Sequence, residues 1–543
     1  MTKPFVACLL LAAACAQAQS PTPAPTPKPA CVTDFSTAGF DFKIAEGPAK
    51  PKKETFGPLY QCPDWFRDAK FGIYMHWGLN SVPGRDGHYA RRMYLQTSPN
   101  ADSTYNYHVT RFGHPSKFGY KDFIPMWKAE NFDPVALAAL YKECGAKFIG
   151  VMAVHHDNFD LWDSTWQPWN SAKMGPKRDI VGEWEKATRK EGLRFVITTH
   201  LSNQHHEHLF YRGNCDTSGP LKDVPYDTMD PKNEGLYGKR TPDCEWLINP
   251  DFARSWYLRL KDLVDKYNPD ILYFDGNLPN GDYGLNLAAH FFNHRIQMSG
   301  TMDGIMAIKA RNQKGFMEDI ESSGVEQLMP HPFLVDTSLN PGWFYIGATA
   351  AKGEGPGDDA GMGKTVNPSQ GSDQLRMTAG QVIDNLVDIV SKNGNMMLNV
   401  GLRPDGSLPE TYRRELLEIG AWLKTNGEAI YGTRPFTVFG EGPFQKPKGQ
   451  AYDDNMYVFT AKDIRFTTKG SALYATFLDW PGDGVTATIT SLRPEAISNI
   501  QSVKLLATGE SLQWKLGNHG LAVTMPAKAP GKFAYVVRIE TAK

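Results

Sequence analysis

The segment PDILYFDGNLPNGD, residues 269–282, ends a run of strand-forming residues on a carboxylate: Ile271, Leu272, Tyr273 and Phe274 are followed by Asp275 and a glycine. A buried, unpaired carboxylate is expensive, so such a strand end either meets solvent or gives its charge a task. More acids follow in KARNQKGFMEDIESSGVEQLMPHP, residues 309–332, which carries Glu318, Asp319, Glu321 and Glu326. Two facing carboxyl groups could break a glycosidic bond, one attacking the anomeric carbon and the other protonating the leaving oxygen. Asp275 suits the first role. Spacing alone does not choose among the four for the second, and a solvated acidic loop accounts for most of them.

Imidazoles form a second set. His155 and His156 precede Asp157, and HLSNQHHEH, residues 200–208, adds His200, His205, His206 and His208. That number would suit a metal-dependent hydrolase. Neighbouring strand residues point to opposite faces, however, so His155 and His156 could share an ion only through a bend at the strand end. Neither HxH on a first strand nor HExxH on a helix occurs, and no metal is expected. Apart from His200, the second cluster reads as a solvated loop.

The elements that must position these groups are visible as alternation. Strand candidates are KFGIYMHWG (70–78), KFIGVMAVHHD (147–157), RFVITTHLS (194–202), ILYFDG (271–276), GIMAIKA (304–310) and NMMLNVG (395–401). Between them lie amphipathic stretches. DPVALAALYKECG has Asp133 as its N-cap and Gly145 as its stop; FARSWYLRLKDLVDKYNP places Trp256, Leu260, Leu263, Val264 and Tyr267 on one face. This order predicts a parallel sheet and, at this length, an α/β fold of the (β/α)8 barrel type over residues 46–433. His76, His155, His156, His200, Asp275 and Asn399 then fall at strand ends, where a barrel presents functional groups. After Tyr431 the pattern becomes alternating runs separated by Gly, Pro and Asp turns, which predicts an all-β sandwich over 434–543.

Composition sets outer limits. The chain has 543 residues, 41% hydrophobic and 12% aromatic, enough for a large core and more than one domain. Its formal net charge of -1 gives no electrostatic footprint for nucleic acid. Lys3, an apolar run over 5–14 and Ala16-Gln17-Ala18 read as a signal peptide over 1–18, too short to remain as a membrane span. A lipoprotein anchored at Cys15 ranks second, because Ala12 stands where a larger aliphatic is usual. A Pro-rich linker over 19–45 follows, so the expected location is periplasmic or secreted. Sequence proximity suggests Cys31 with Cys62 and Cys215 with Cys244 as disulfide pairs; without CxxC spacing no structural zinc is expected.

KFGIYMHWGLNSVP, HHDNFDLWDS, GPKRDIVGE, DILYFDG, VSKNGNMMLNVGLRPDGSLPE and LLEIGAWLKTNGEAIYGTRPF occur in one order between residues 63 and 436. Together they resemble glycoside hydrolase family 29, the α-L-fucosidases. The resemblance implies a β/α barrel followed by a β-sandwich, a retaining exo-glycosidase without cofactor, and a fucosylated oligosaccharide or polysaccharide as substrate. It aligns Asp275 with the nucleophile, and His76, His155 and His156 with imidazoles that hold fucose hydroxyls. His200 would be a further sugar contact, Tyr273 stands where Trp is frequent, and Arg311 matches a substrate-binding arginine. Trp343 resembles the aromatic that packs on the C6 methyl, whereas Trp77 is read as a packing residue of the HWG motif. For the acid/base, DIESSG before PFLVDTS points to Glu321, with Glu326 second.

The chain also departs from the pattern. Gly87-His88-Tyr89 replaces Glu-Trp-Tyr, Asn158 replaces a glycine, and Phe333, Leu334 and Val335 stand where Trp, Gln and Thr are common. These positions are expected to affect sugar recognition, which makes α-L-galactosides the nearest alternative substrates. The missing glutamate at Gly87 is also the one feature pointing to a non-catalytic carbohydrate-binding protein.

Overall fold

The computed structural model describes residues 37, 39–85, 87–96, 104–201, 215–238, 250–279, 281–322, 324–347, 373–445 and 457–542. Eight parallel strands form one sheet in the order β6-β5-β4-β3-β2-β1-β8-β7. They are β1 (Phe71–Met75), β2 (Phe148–Val154), β3 (Arg194–Thr199), β4 (Ile271–Phe274), β5 (Ile305–Ile308), β6 (Met317–Glu318), β7 (Phe333–Ser338) and β8 (Gly394–Asn399). The sheet closes where Ile320 N–H donates to Leu334 O at 2.9 Å and Ser322 N–H to Asp336 O at 2.7 Å. The barrel expected from alternation is therefore present, followed by the expected sandwich.

Strand periodicity sorts the side chains. Phe148, Val196, Ile271, Ile305, Met317, Leu334 and Met397 point into the barrel, while Ile73, Ile149, Phe195, Leu272, Met306, Val335 and Leu398 belong to the surrounding core. Gly72 has to be small: a Cβ there would stand 2.1 Å from the Phe148 ring, which fills the space instead. Phe66 and Ala69 of α2 (Asp64–Ala69), with Trp65, join the same interior cluster from the segment that leads into β1.

Helices cover the outside. In α3 (Pro134–Glu143) the Asp133 carboxylate accepts from the N–H groups of Val135 and Ala136, and Gly145 turns the chain at φ +96°, as the sequence predicts. In α5 (Pro250–Tyr267) Trp256, Leu260, Leu263, Val264 and Tyr267 are all buried. Two strands escape the sequence reading. β6 has two residues, too few to display a period, and lies inside the acidic segment; β7 reads as a motif rather than as a strand.

The sandwich comprises β9 (Arg434–Glu441), β10 (Ile464–Lys469), β11 (Ala472–Phe477), β12 (Thr486–Ile489), β13 (Ile500–Leu505), β14 (Gln513–Gly517), β15 (Gly520–Thr524) and β16 (Tyr535–Thr541). They form a five-stranded sheet, β13-β16-β11-β10-β9, and a three-stranded sheet, β12-β15-β14, around their own core. The sandwich meets the barrel through α7 (Ala379–Ser391). There Arg465 Nε donates to Asp388 Oδ1 at 2.6 Å and Lys392 Nζ to Asp388 Oδ2 at 2.7 Å, all three side chains being buried.

The expected disulfides are not formed, since Cys62 and Cys215 are free thiols. Their nominated partners Cys31 and Cys244 lie outside the described residues, as do the expected signal peptide and His205, His206 and His208. Proximity in sequence says nothing about the Cα separation and Cβ directions that a disulfide needs. Among the described residues, no helix is long and apolar enough to cross a membrane.

Candidate active site

Each inward row of the barrel continues by one step into a polar residue at the strand's C-terminal end. Tyr74 leads to His76, Thr198 to His200, Tyr273 to Asp275, Ala307 to Lys309, Asp319 to Glu321, Asp336 to Ser338, and Met397 to Asn399. The period of two therefore brings groups far apart in sequence to one rim. β2 delivers two histidines rather than one. Its register slips between Met152 and Val154, and the chain turns at His156, which brings the two rings to 4.4 Å between centroids. This is the bend that the sequence requires for both to face one site.

The imidazoles make a buried floor. His76 presents its main-chain N–H and its ring Nδ1 to Asn399 Oδ1, at 2.8 and 3.0 Å. The Asn399 amide is oriented by its own bonds to Ser338 Oγ (2.9 Å) and Trp343 O (2.8 Å), so its oxygen accepts and Nδ1 of His76 carries the hydrogen. Nε2 of His76 is then an acceptor and faces His200 Nε2 at 3.1 Å. Burial drives the His200 pKa down to about 4, and burial together with His200 lowers that of His76. At neutral pH both rings are uncharged hydrogen-bonding groups. His155 lies 4.5 Å from His200 between centroids, and His88 stacks on His156 at 5.2 Å.

The nitrogens of His76, His155 and His200 lie within 4.8 Å of one another and could accept a borderline metal ion; the same spacing suits a row of hydroxyl groups. In the other such group, Asp265 with His290 and His294, His290 has a structural use. It accepts from Ala45 N–H at 2.9 Å through Nδ1 and meets Asp265 Oδ1 at 2.9 Å through Nε2.

Beside the floor stand the carboxyl groups. Asp275 Oδ1 lies 2.5 Å from Lys309 Nζ, and Oδ2 lies 3.8 Å from His156 Nε2. The same Lys309 ammonium binds Glu321. Sharing one nitrogen brings the two nearest carboxylate oxygens to within about 5 Å of each other, close to the separation of about 5–5.5 Å between the carboxyl groups of retaining glycosidases. Burial opposes charge on Asp275, but Lys309 and then His200 outweigh it and hold its carboxyl well below the usual carboxylate range. Glu321 behaves oppositely: burial, with Asp336 and Asp275 adding to it against the Lys309 cation, pushes it up to about 7. Two carboxyl groups a few ångströms apart thus have their pKa values pushed in opposite directions, which suits one to be a nucleophile and the other an acid.

The remaining candidate acids are placed elsewhere. Glu318 faces His331 at 3.5 Å, and Glu326 is exposed, with its charge felt by Lys392. Asp319 lies one layer below the site. There Tyr273 donates to Asp319 Oδ2 at 3.1 Å and to Asp336 Oδ2 at 3.3 Å, while Tyr74 donates to Asp336 Oδ2 at 3.1 Å. Tyr273 is therefore beneath the floor, holding carboxyl groups. Trp343 is half-buried, with its ring 5.1 Å from that of His76. Arg311 is exposed on the loop after β5 and takes no part in these contacts.

Sequence reasoning missed Lys309 and Asp336. A signal for Lys309 existed, since Ile305 and Ala307 already define the inward row that it extends. Of the departures from the family pattern, Gly87 and His88 reach the site: a Cβ on Gly87 would lie 3.6 Å from the Phe344 ring and 3.9 Å from His155 Cε1. Asn158 has a structural reason instead. It holds a left-handed conformation, φ +59°, that asparagine tolerates, donates to Leu236 O at 2.8 Å and accepts from Arg259 Nη1 at 2.7 Å. Phe333 begins β7 opposite Gly394, at the other end of the barrel from the site, and Leu334 and Val335 fill cores.

The family model described as alpha-L-fucosidase matches residues 43–354 and 366–428, and that of the alpha-L-fucosidase C-terminal domain matches 459–540. The tissue alpha-L-fucosidase of Rattus norvegicus is 28% identical over 481 residues, covering 87% of each chain. The Thermotoga maritima alpha-fucosidase solved with fucose is 27% identical, with a TM-score of 0.65 over 90% of this chain and 100% of that one. The same enzyme solved with a mechanism-based inhibitor gives 26% and 0.65, over 91% of this chain and 100% of that one. Barrel and sandwich are each matched in order, and the chain belongs to the alpha-L-fucosidase family.

Proposed function

We propose that this protein is a retaining exo-α-L-fucosidase that removes terminal α-L-fucosyl residues from glycans. The observation that carries this reading is Asp275 and Glu321 gathered on one ammonium, with their pKa values pushed apart, beside the neutral imidazoles of His76 and His200. Protonated Glu321 gives its proton to the glycosidic oxygen as a carboxylate oxygen of Asp275 bonds to C1 and the C1–O bond breaks. Water then attacks C1, giving its proton to Glu321 while the bond to Asp275 breaks, and the anomeric configuration is retained. His76 and His200, both uncharged, bind the sugar hydroxyls together with His155 and His156, and the Trp343 ring packs on the apolar edge at C6. The family membership and the Thermotoga complex with fucose support fucose as the sugar. The N-terminal pattern supports export, which would place a fucosylated oligosaccharide or polysaccharide within reach.

The test is release of p-nitrophenol from p-nitrophenyl α-L-fucoside, with the product's configuration followed by NMR. Wild type is expected to release β-free, α-configured fucose first, and Asp275→Ala to be inactive until azide supplies a substitute nucleophile. Inversion of configuration, or full activity in Asp275→Ala, would end the double-displacement reading. Silence toward fucosides together with turnover of α-L-galactosides would reassign the sugar.

A further inference from the structure

Lys309 is the least conventional group at the rim. A retaining site needs two carboxyl groups at a fixed separation, and here one nitrogen bridges them. Lys309 extends the inward row of β5, and its main-chain N–H donates to Gly276 O at 2.9 Å, which ties it to the residue after Asp275. Its ammonium reaches Asp275 on one side and Glu321 on the other, with about a quarter of each of the three side chains exposed. Glu321 is held from behind, because Ile320 and Ser322 on either side of it bond to β7. The cation is thus clamped between two segments that are otherwise joined through different strands.

We propose that Lys309 is a positioning residue of this site, a cationic clamp that fixes the separation of Asp275 and Glu321 and stabilises the negative charge that the pair carries. This rests on the assignment of those two carboxyl groups above. Without the cation, two acids a few ångströms apart would share a proton, as in a carboxyl dyad, and both would titrate higher. With it, Asp275 is ionised and Glu321 titrates near neutrality. Other charged or titratable groups also face the ammonium: Asp319 and Asp336 from below, and His76 and His200 across the floor. Burial beside Asp336 favours the neutral form of Asp319, and the two histidines are neutral, so Lys309 is the cation among these groups that favours ionisation of both acids, while burial and Asp336 keep Glu321 the harder of the two to ionise.

The test compares Lys309→Met and Lys309→Arg with wild type in two readouts. In kcat/KM against pH, loss of the cation is expected to move the acidic limb, set by Asp275, and the alkaline limb, set by Glu321, both upward by about 1–3 pH units. Lys309→Arg keeps the charge and should keep both limbs while kcat falls, because a planar guanidinium cannot seat one nitrogen between both carboxyl groups. The second readout does not need turnover: carboxyl 13C NMR titration, with Asp275→Asn and Glu321→Gln identifying the two signals. Upward titration of both in Lys309→Met supports the clamp even if fucosides are not hydrolysed, in which case the function falls and the clamp stands. Superimposable titrations in wild type and Lys309→Met overturn the clamp and leave the fucosidase reading intact. If Lys309→Met does not fold, Lys309→Arg decides: unchanged kcat and KM would overturn the proposal, and a kcat loss with unmoved limbs supports it.

Discussion

Glu321→Gln should make the protein more stable while disabling it. In the fold Glu321 titrates at about 7 against an ordinary 4.5, because burial and then the neighbouring Asp336 and Asp275 charges penalise its ionised form more than Lys309 repays. A group whose folded pKa is raised contributes stability that is complete below its unfolded pKa and is lost as pH rises through the folded value. The window is therefore pH 4.5 to about 7. Across those 2.5 pH units, at 1.36 kcal/mol each, the loss amounts to about 3 kcal/mol. Glutamine has nearly the same shape and no charge to form, so the variant should escape this loss. Urea unfolding of both proteins at several pH values measures it. The advantage of Glu321→Gln should grow by about 3 kcal/mol from pH 4.5 to above pH 7. Asp275 carries the opposite sign, since its depressed pKa costs stability as pH falls below the ordinary 3.8, so it acts outside this window. A stability difference that stays flat across the window would refute the claim that Glu321 is ionised at a cost, and with it the assignment of Glu321 as the acid.

Three further outcomes follow from the packing. Arg465→Ala removes a buried cation 2.6 Å from buried Asp388 and should cost about 3–5 kcal/mol in denaturant unfolding, even with Lys392 in place; a loss below 1 kcal/mol would mean that water reaches the pair. Gly72→Ala would set a Cβ 2.1 Å from the Phe148 ring and should cost about 1–3 kcal/mol, part of it restored by Phe148→Leu; an unchanged melting temperature would contradict the barrel packing. Asn158→Ala loses the bonds to Arg259 and Leu236 and strains a φ of +59°, so it should melt below Asn158→Gly, which relieves the strain; the reverse order would show that the backbone there is not left-handed.

Much of the site was legible because a strand's alternation is local. ILYF followed by Asp, and FGIYM followed by His, announce an inward row ending on a polar group without knowledge of anything else in the chain. The barrel, the sandwich, and the roles of His76, His155, His156, His200 and Asp275 as strand-end groups follow from that pattern. Where the pattern was too short or interrupted, it failed. β6 has two residues, so Glu321 could be chosen from its neighbours only by resemblance, and Lys309 passed unnoticed although Ile305 and Ala307 lead to it.

Other decisions belonged to the closed barrel. Glu321 stands opposite Asp275 because Ile320 and Ser322 bond to β7, and that pairing exists only once the sheet has curled until its seventh strand meets its sixth. Closure also put Tyr273 beneath the floor and set one ammonium between two acids. The amino-acid sequence alone determined which side chains face inward, since that depends on parity along one strand. The tertiary structure decided which of them meet, and so which acid keeps its proton, because distances and fields across the barrel arise from strands that are remote in sequence.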